Sequence, residues 1–270
     1  AGYAKPENEF NQKNTIESRY LKYFKDKSKE LVIVDLETMN TRTTTFNIPV
    51  KALSSISSMC LLPNGRIFYN AIYFDWSWNC FTFILEENNA ITELPKCKYS
   101  RFATCIYVDD YVYYFGGTHR IAERFNLRNN EWESFAALPD GDYRYACSAL
   151  FNDKILLSGY YLTKALLYDL KQDSYSDIPN LQLVTPKHKT AISWNNRAYI
   201  IEHSGNTYES EINNIYNWNC IGTNNTYTCS PKQSCLVYFN SNVYFVHYHN
   251  ILCEFNLKEK IGQSRYLFKS

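Results

Sequence analysis

Short apolar runs, each closed by Asn, Asp, Gly or Pro, fill the chain from Leu31 onward, the pattern of strands joined by tight turns. One composite piece, an apolar strand, a turn and a second strand, recurs six times: LVIVDLETMNTRTTTF, CFTFILEENNAITEL, IAERFNLRNNEWESF, ALLYDLKQDSYSDI, YESEINNIYNWNCI and LCEFNLKEKIGQS. Measured between Val34, Phe83, Phe125, Tyr168, Glu211 and Phe255, the steps are 49, 42, 43, 43 and 44 residues. All but the first copy follow another hairpin: ISSMCLLPNGRIFYNAIYF, FATCIYVDDYVYYFGG, YACSALFNDKILLSGY, KTAISWNNRAYIIEH and QSCLVYFNSNVYFVHY. Their turn residues, Pro63-Asn64-Gly65, Asp109-Asp110, Asn152-Asp153, Asn195-Asn196 and Asn240-Ser241-Asn242, stand in register and tolerate the backbone of a tight hairpin. Each unit therefore holds four short strands, A to D.

A four-stranded sheet of this size cannot bury both faces alone. Radial packing of like sheets around an axis solves the problem, so the period predicts an all-β, six-bladed β-propeller with four-stranded antiparallel blades. The N-terminal segment, residues 1–30, is polar and charged. Within it RYLKYFKD, Arg19 to Asp26, falls where strand B of the first blade belongs, and Phe10 to Ile16 where strand A belongs. A helix or loose arm over residues 5–27 is the alternative for that A strand. Residues 31–270 carry the repeat throughout.

One unit carries a denser pattern: Gly116-Gly117, Phe125, Trp132, Leu138-Pro139 and Arg144. This order resembles the kelch repeat, whose blades carry a double glycine, a Tyr, a Trp after six intervening residues, then Leu-Pro and an Arg leading into the next blade. Tyr168 with Tyr175 and Ile178-Pro179, Glu211 with Trp218, Leu94-Pro95 before Arg101, and Ile48-Pro49 repeat parts of it. The double-glycine position reads Lys25-Asp26, Ala71-Ile72, Gly159-Tyr160, Glu202-His203 and His247-Tyr248 elsewhere, so the array is degenerate. The Gly-His and Trp-Asp pairs of a WD40 array do not recur.

Composition sharpens the picture. Of 270 residues 17% are aromatic, 24 of them Tyr, which suits pleated strands. With 28 basic and 27 acidic side chains there is no global field to gather nucleic acid or a membrane surface, so neither is expected as a partner. No apolar run is long enough for a membrane-spanning helix, and AGYAKPENEFNQK lacks the apolar core of a signal peptide. The nine Cys show no C-x-x-C pair, and several lie inside strand-like runs as small hydrophobes. That usage points to a reducing, cytoplasmic or other intracellular setting, including association with the cytoskeleton. The single sequon Asn224-Asn225-Thr226 points the other way.

Strand alternation brings the B–C and D–A connections to one end, the end kelch domains generally use for partners. The B–C connections DWSWN, GGTHRI, YYLTK, HSGNTY and HYHN are rich in rings and hydrogen-bonding groups. Trp76, Trp78, His119, Arg120, Tyr160, Tyr161, Tyr208, His247, Tyr248 and His249 are the candidate partner-binding residues. Any one of these rings is equally able to fold back onto a blade. Lys96, Lys98, Arg101, Arg144, Lys187, Lys189 and Lys232 in the D–A links tint this end basic, which favours an acidic peptide or surface. In the kelch pattern, however, the Arg101 and Arg144 positions are framework. His203, His247 and His249 are the nearest approach to a metal set, but loops of different blades do not readily converge on one ion, so no metal or cofactor is expected.

No G-x-S-x-G, H-E-x-x-H or P-loop is present, and loop acids such as Asp75, Asp140 and Asp142 read as turn formers. The expectation is a non-enzymatic protein-interaction module, a scaffold or substrate-recruiting adaptor that binds a protein partner. A carbohydrate-processing propeller enzyme and a purely structural subunit of a large assembly are the alternatives. Convergence of two acids and a base at the central mouth would mark the enzyme, and a mouth lined by rings the binding module.

Overall fold

The computed structural model describes residues 16–48, 53–54, 57–75, 77–98, 101–178, 180–184, 186, 188–202, 206–211, 214, 216–222, 234–247 and 250–267. Six antiparallel sheets follow one another along the chain as the blades of a β-propeller. The first blade holds β1 (Tyr20–Phe24), β2 (Glu30–Asp35) and β3 (Thr41–Thr45). The second is β4 (Ser58–Leu61), β5 (Ile67–Asp75), β6 (Ser77–Leu85) and β7 (Ile91–Glu93). The third is β8 (Ala103–Val108), β9 (Tyr111–Gly116), β10 (Ile121–Asn126) and β11 (Glu131–Ser134). The fourth is β12 (Cys147–Phe151), β13 (Lys154–Ser158), β14 (Leu166–Asp169) and β15 (Ser174–Asp177). The fifth is β16 (Lys189–Trp194), β17 (Arg197–Glu202), β18 (Thr207–Glu211) and β19 (Asn219–Gly222). The sixth is β20 (Val237–Phe239), β21 (Asn242–His247), β22 (Ile251–Asn256) and β23 (Ile261–Tyr266).

This is the all-β, six-bladed architecture that the period predicts, with four antiparallel strands in five blades and three among the described residues of the first. RYLKYFKD contains β1, strand B of the first blade, paired with β2 through Tyr20↔Asp35 to Phe24↔Leu31. Of the predicted A strand, all but Ile16 lies outside the described residues. Turn chemistry acts as the sequence indicates. Asp109 and Asp110 have φ of 43° and 67°, Asn195 and Asn196 47° and 60°, and Asn240 and Ser241 49° and 62°. Two successive left-handed residues give the turn whose twist matches a hairpin, and Asn and Asp reach that region at little cost. Asn242, counted with its turn in the sequence reading, instead opens β21.

Burial lies between blades. Cys60, Phe68 and Ile84 of the second blade share one apolar cluster with Cys105, Tyr114 and Phe125 of the third. Tyr113 and Phe115 pack against Ile155, Leu157 and Tyr168, Leu156 and Leu167 against Ala191 and Ile200, and Ile192 and Tyr199 against Phe245 and Phe255. The circle closes in a cluster where Leu21, Tyr23 and Val32 of the first blade meet Val237, Tyr244 and Leu252 of the sixth and Tyr69 and Phe83 of the second. Polar pins reinforce that seam: Tyr23 donates to Asn250 Oδ1 at 2.9 Å, and Ser18 N donates to the Tyr238 carbonyl at 3.0 Å. Fully burying each such side chain is worth about 1.5–3 kcal/mol.

The outer strands are tied to the preceding blade at the repeated ring position. Trp132 Nε1 donates to the Pro95 carbonyl at 2.9 Å, and the Tyr175 hydroxyl donates to the Ala136 carbonyl at 3.1 Å. These acceptors belong to the link segments around Leu94-Pro95 and Leu138-Pro139, which explains why ring and link recur together.

Gly116 has φ +79°, and a Cβ there would stand 2.8 Å from the Tyr143 carbonyl oxygen and 2.9 Å from Tyr143 Cβ. Gly65 shares the left-handed backbone, φ +68°, but a Cβ there would meet only Ser18 Oγ at an unstrained 4.0 Å. Gly65→Ala is expected to lower stability by about 1 kcal/mol through backbone strain alone, and Gly116→Ala by about 3 kcal/mol or more through strain plus clash. Urea melts of the two variants check this, and equal losses would remove the Tyr143 contact as the reason for glycine at Gly116.

Candidate functional site

Each blade runs A, B, C, D outward from the axis, so the B–C and D–A connections share one end of the ring. The innermost strands β4, β8, β12 and β16 pack side by side around a central channel with a cavity of about 170 Å³. Its wall includes Phe102, Tyr145 and His188, each the residue that leads a D–A link into an innermost strand, at successive intervals of 43 residues. Phe102 and Tyr145 hold left-handed backbones, φ 63° and 54°. A bulky non-glycine residue pays for that conformation, and such strain is retained where the surroundings, often at a functional site, over-determine it.

These rings touch. Phe102 and Tyr145 lie 4.1 Å apart between centroids, Tyr145 and His188 4.8 Å, Tyr160 and His188 4.6 Å, and Tyr160 and Tyr161 4.7 Å. Guanidiniums close both ends of the row: Arg101 lies 4.9 Å over Trp78, and Arg144 4.9 Å over Tyr161. The result is a belt, Trp78, Arg101, Phe102, Tyr145, His188, Tyr160, Tyr161 and Arg144, running from the second blade to the fifth. Trp78 and Tyr161, 39% and 44% exposed, offer rigid apolar area to solvent, and the other rings are half-buried.

The cations of this end divide sharply. Lys98 pairs with Glu123 at 2.6 Å, Arg120 with Asp140 at 3.2 Å, and Arg144 with Asp142 through both carboxylate oxygens. The Arg144 hydrogen bonds hold the Asp142 carboxyl below its ordinary range. Lys189 is buried and donates to the Gly159 carbonyl at 2.9 Å, and burial pushes its amine below the usual lysine range. Arg101 differs: among the described residues no carboxylate pairs with it, and its Nε is buried without an acceptor. At the position two residues before it the chain has Tyr99, where Arg144 has Asp142.

The candidates from the sequence fall in different places. Trp78, His119, Arg120 and Tyr161 are exposed at the loop end, and Tyr160 is half-buried in the ring row. Tyr208 stands in β18, packed on the apolar cluster of the fourth and fifth blades with its hydroxyl 3.5 Å from Glu202, and His247 is buried at the end of β21. His247 is an interior side chain, and Tyr208 is half-buried. Trp76, His203, Tyr248, His249, Lys187 and Lys232 lie outside the described residues. In the DWSWN connection β5 and β6 run nine residues each and stay paired to Asp75↔Ser77, so Trp78 rides on a paired ribbon. Sequence reasoning passed over Phe102 and Tyr145 as site residues. The signal was available in the paired Arg-Phe-Ala and Arg-Tyr-Ala runs at the same point of two repeats.

No protein-family model matches the sequence, and no curated protein matches it. Among solved structures the chain is similar to YjhT, with 8% identity and a TM-score of 0.66 over 94% of this chain and 99% of that one. A chain of the nidogen/laminin complex gives 7% and 0.66 over 92% and 93%, and YCF48 bound to D1 peptide gives 10% and 0.57 over 93% and 81%. At these identities the likeness concerns the fold, a β-propeller.

Among the described residues no three His, Cys, Asp or Glu side chains are grouped to hold a metal ion. Dialysis against EDTA is expected to leave the melting midpoint unchanged, and a drop reversed by added zinc would assign a metal to this chain.

Proposed function

We propose that the chain is a non-enzymatic protein-interaction module that captures a protein partner on the loop end of the propeller, across the belt of rings at the channel mouth. The observation that carries this reading is the ring row in contact from Phe102 through Tyr145 and Tyr160 to Tyr161, extended to Trp78 by the Arg101 guanidinium and capped by that of Arg144. Rigid aromatics and arginine are the residues on which binding energy concentrates, because they bury much area with few rotors to freeze. The belt is already ordered, so little entropy is lost on binding.

Among the described residues that line the channel there are rings, hydroxyls, thiols and one buried amine, with no acid, a lining that favours binding over hydrolysis of a sugar. Two of the similar folds come from complexes with a protein or a peptide, which is compatible with the same use of this one. Arg101 adds a preference for an acidic side chain, since a buried N–H without an acceptor gains most from a carboxylate. The role is that of a scaffold or adaptor. An intracellular setting, cytoplasmic or on the cytoskeleton, accords with cysteines that are free throughout the described residues.

Affinity capture with the whole chain, compared with a Trp78→Ala/Tyr161→Ala variant of equal melting midpoint, tests the belt. Loss of about 2 kcal/mol per anchor is expected, hence at least a tenfold drop in affinity for the partner recovered. Equal recovery by both proteins would move the interface off this end. Arg101→Gln is expected to weaken binding chiefly at low salt, since the charge it removes is screened as ionic strength rises.

A further inference from the structure

Four cysteines, Cys60, Cys80, Cys97 and Cys105, share the apolar cluster between the second and third blades. Two of them stand at the root of the belt. Cys80 is two residues beyond Trp78 on β6, and Cys97 lies in the link four residues ahead of Arg101. Past the end of β7 the strand pairing continues, with Leu94 N donating to the Thr82 carbonyl at 2.9 Å, which brings the segment holding Cys97 beside Cys80. The Cys80 thiol donates to the Cys97 carbonyl at 3.5 Å, and the Cys97 thiol donates to the Lys98 carbonyl at 3.1 Å. Both residues are buried, 6% and 8% exposed.

We propose that Cys80 and Cys97 are a reversible thiol–disulfide site, oxidised by a hydroperoxide, that ties the Trp78 ribbon to the Arg101 link. The Cys80 thiolate attacks the peroxide oxygen, the O–O bond breaks, and protonation releases water from hydrogen peroxide and leaves a sulfenic acid. The Cys97 sulfur then attacks the Cys80 sulfur, the S–O bond breaks, and the hydroxyl leaves as a second water with the Cys97 proton. Two thiols lose two electrons, and one peroxide becomes two waters.

The order of attack follows from the surroundings. The neighbouring Cys97 side chain, helped by the charge of Lys96, brings the Cys80 thiol below its ordinary range, and the same neighbour contact with burial pushes Cys97 up. Cys80 is therefore the nucleophile and Cys97 the resolving thiol. The second pair, Cys60 and Cys105, serves as an internal comparison: burial pushes the Cys105 thiol well above its ordinary range, so that pair is expected to oxidise more slowly.

The test uses the full chain in a Cys220→Ser/Cys229→Ser background, which removes the exposed Cys220 thiol and Cys229, a position outside the described residues. Hydrogen peroxide treatment, alkylation of remaining thiols and peptide mass mapping are expected to show a Cys80–Cys97 linked pair forming at least about tenfold faster than any change at Cys60 or Cys105. Adding Cys97→Ser should trap Cys80 as a dimedone-reactive sulfenic acid. Should that variant not fold, the mapping of the parent protein decides alone. Sulfinic or sulfonic acids without the linked pair, or a Cys60–Cys105 link forming first, would overturn the assignment. Slower amide exchange in residues 77–80 and 97–102 of the oxidised protein is the expected mechanical effect. Unchanged exchange would refute the tie between this site and the belt, whether or not the belt binds a partner.

Discussion

Everything in this molecule depends on sheets too small to cover their own faces. A four-stranded blade has two apolar faces and no second layer of its own, so each is stable only when pressed between neighbours. The apolar clusters accordingly straddle blade boundaries, and the one joining the sixth, first and second blades completes the circle. Closure is what converts six marginal units into a cooperative core, because an open row would leave a face on each terminal blade exposed. Tyr23 to Asn250 and Ser18 to Tyr238 add polar pins where the ring meets itself.

The same constraint builds the face that is free to bind. Radial packing brings the starts of the innermost strands together at the axis, so residues 43 positions apart in the chain become neighbours. Phe102 and Tyr145 are then forced into contact while holding backbones that bulky side chains ordinarily avoid. Rings in that position shield no blade interface that the apolar clusters leave open. Their strain is sustained by the stiffness of the ring, and what it produces is a preformed aromatic surface beside the channel.

Charge on this face is patterned by the same repeat and differs between blades. Arg144 is satisfied within its own link by Asp142, and its guanidinium serves to orient Tyr161. Arg101, one blade earlier, has Tyr99 in place of that acid and rests on Trp78 instead. Repetition thus supplies a position, and small departures from it supply individuality: a ribbon of nine-residue strands in the second blade, a buried lysine in the fifth, a pair of thiols at one link.

Periodicity, turn residues and strand pattern were enough to determine the architecture, because left-handed Asn and Asp pairs and apolar runs act locally and recur at a constant step. The matching of Trp132 and Tyr175 to the Pro-containing links was legible too, since both partners belong to the repeat. Side-chain direction was not. Tyr208 and His247 look like loop residues along the chain, yet Tyr208 is half-buried in β18 and His247 is buried, and Trp78, in a B–C connection by sequence, stands on a paired ribbon. Which rings meet at the axis is set by contacts between blades. Those contacts join residues about forty positions apart, and they exist only once the circle has closed.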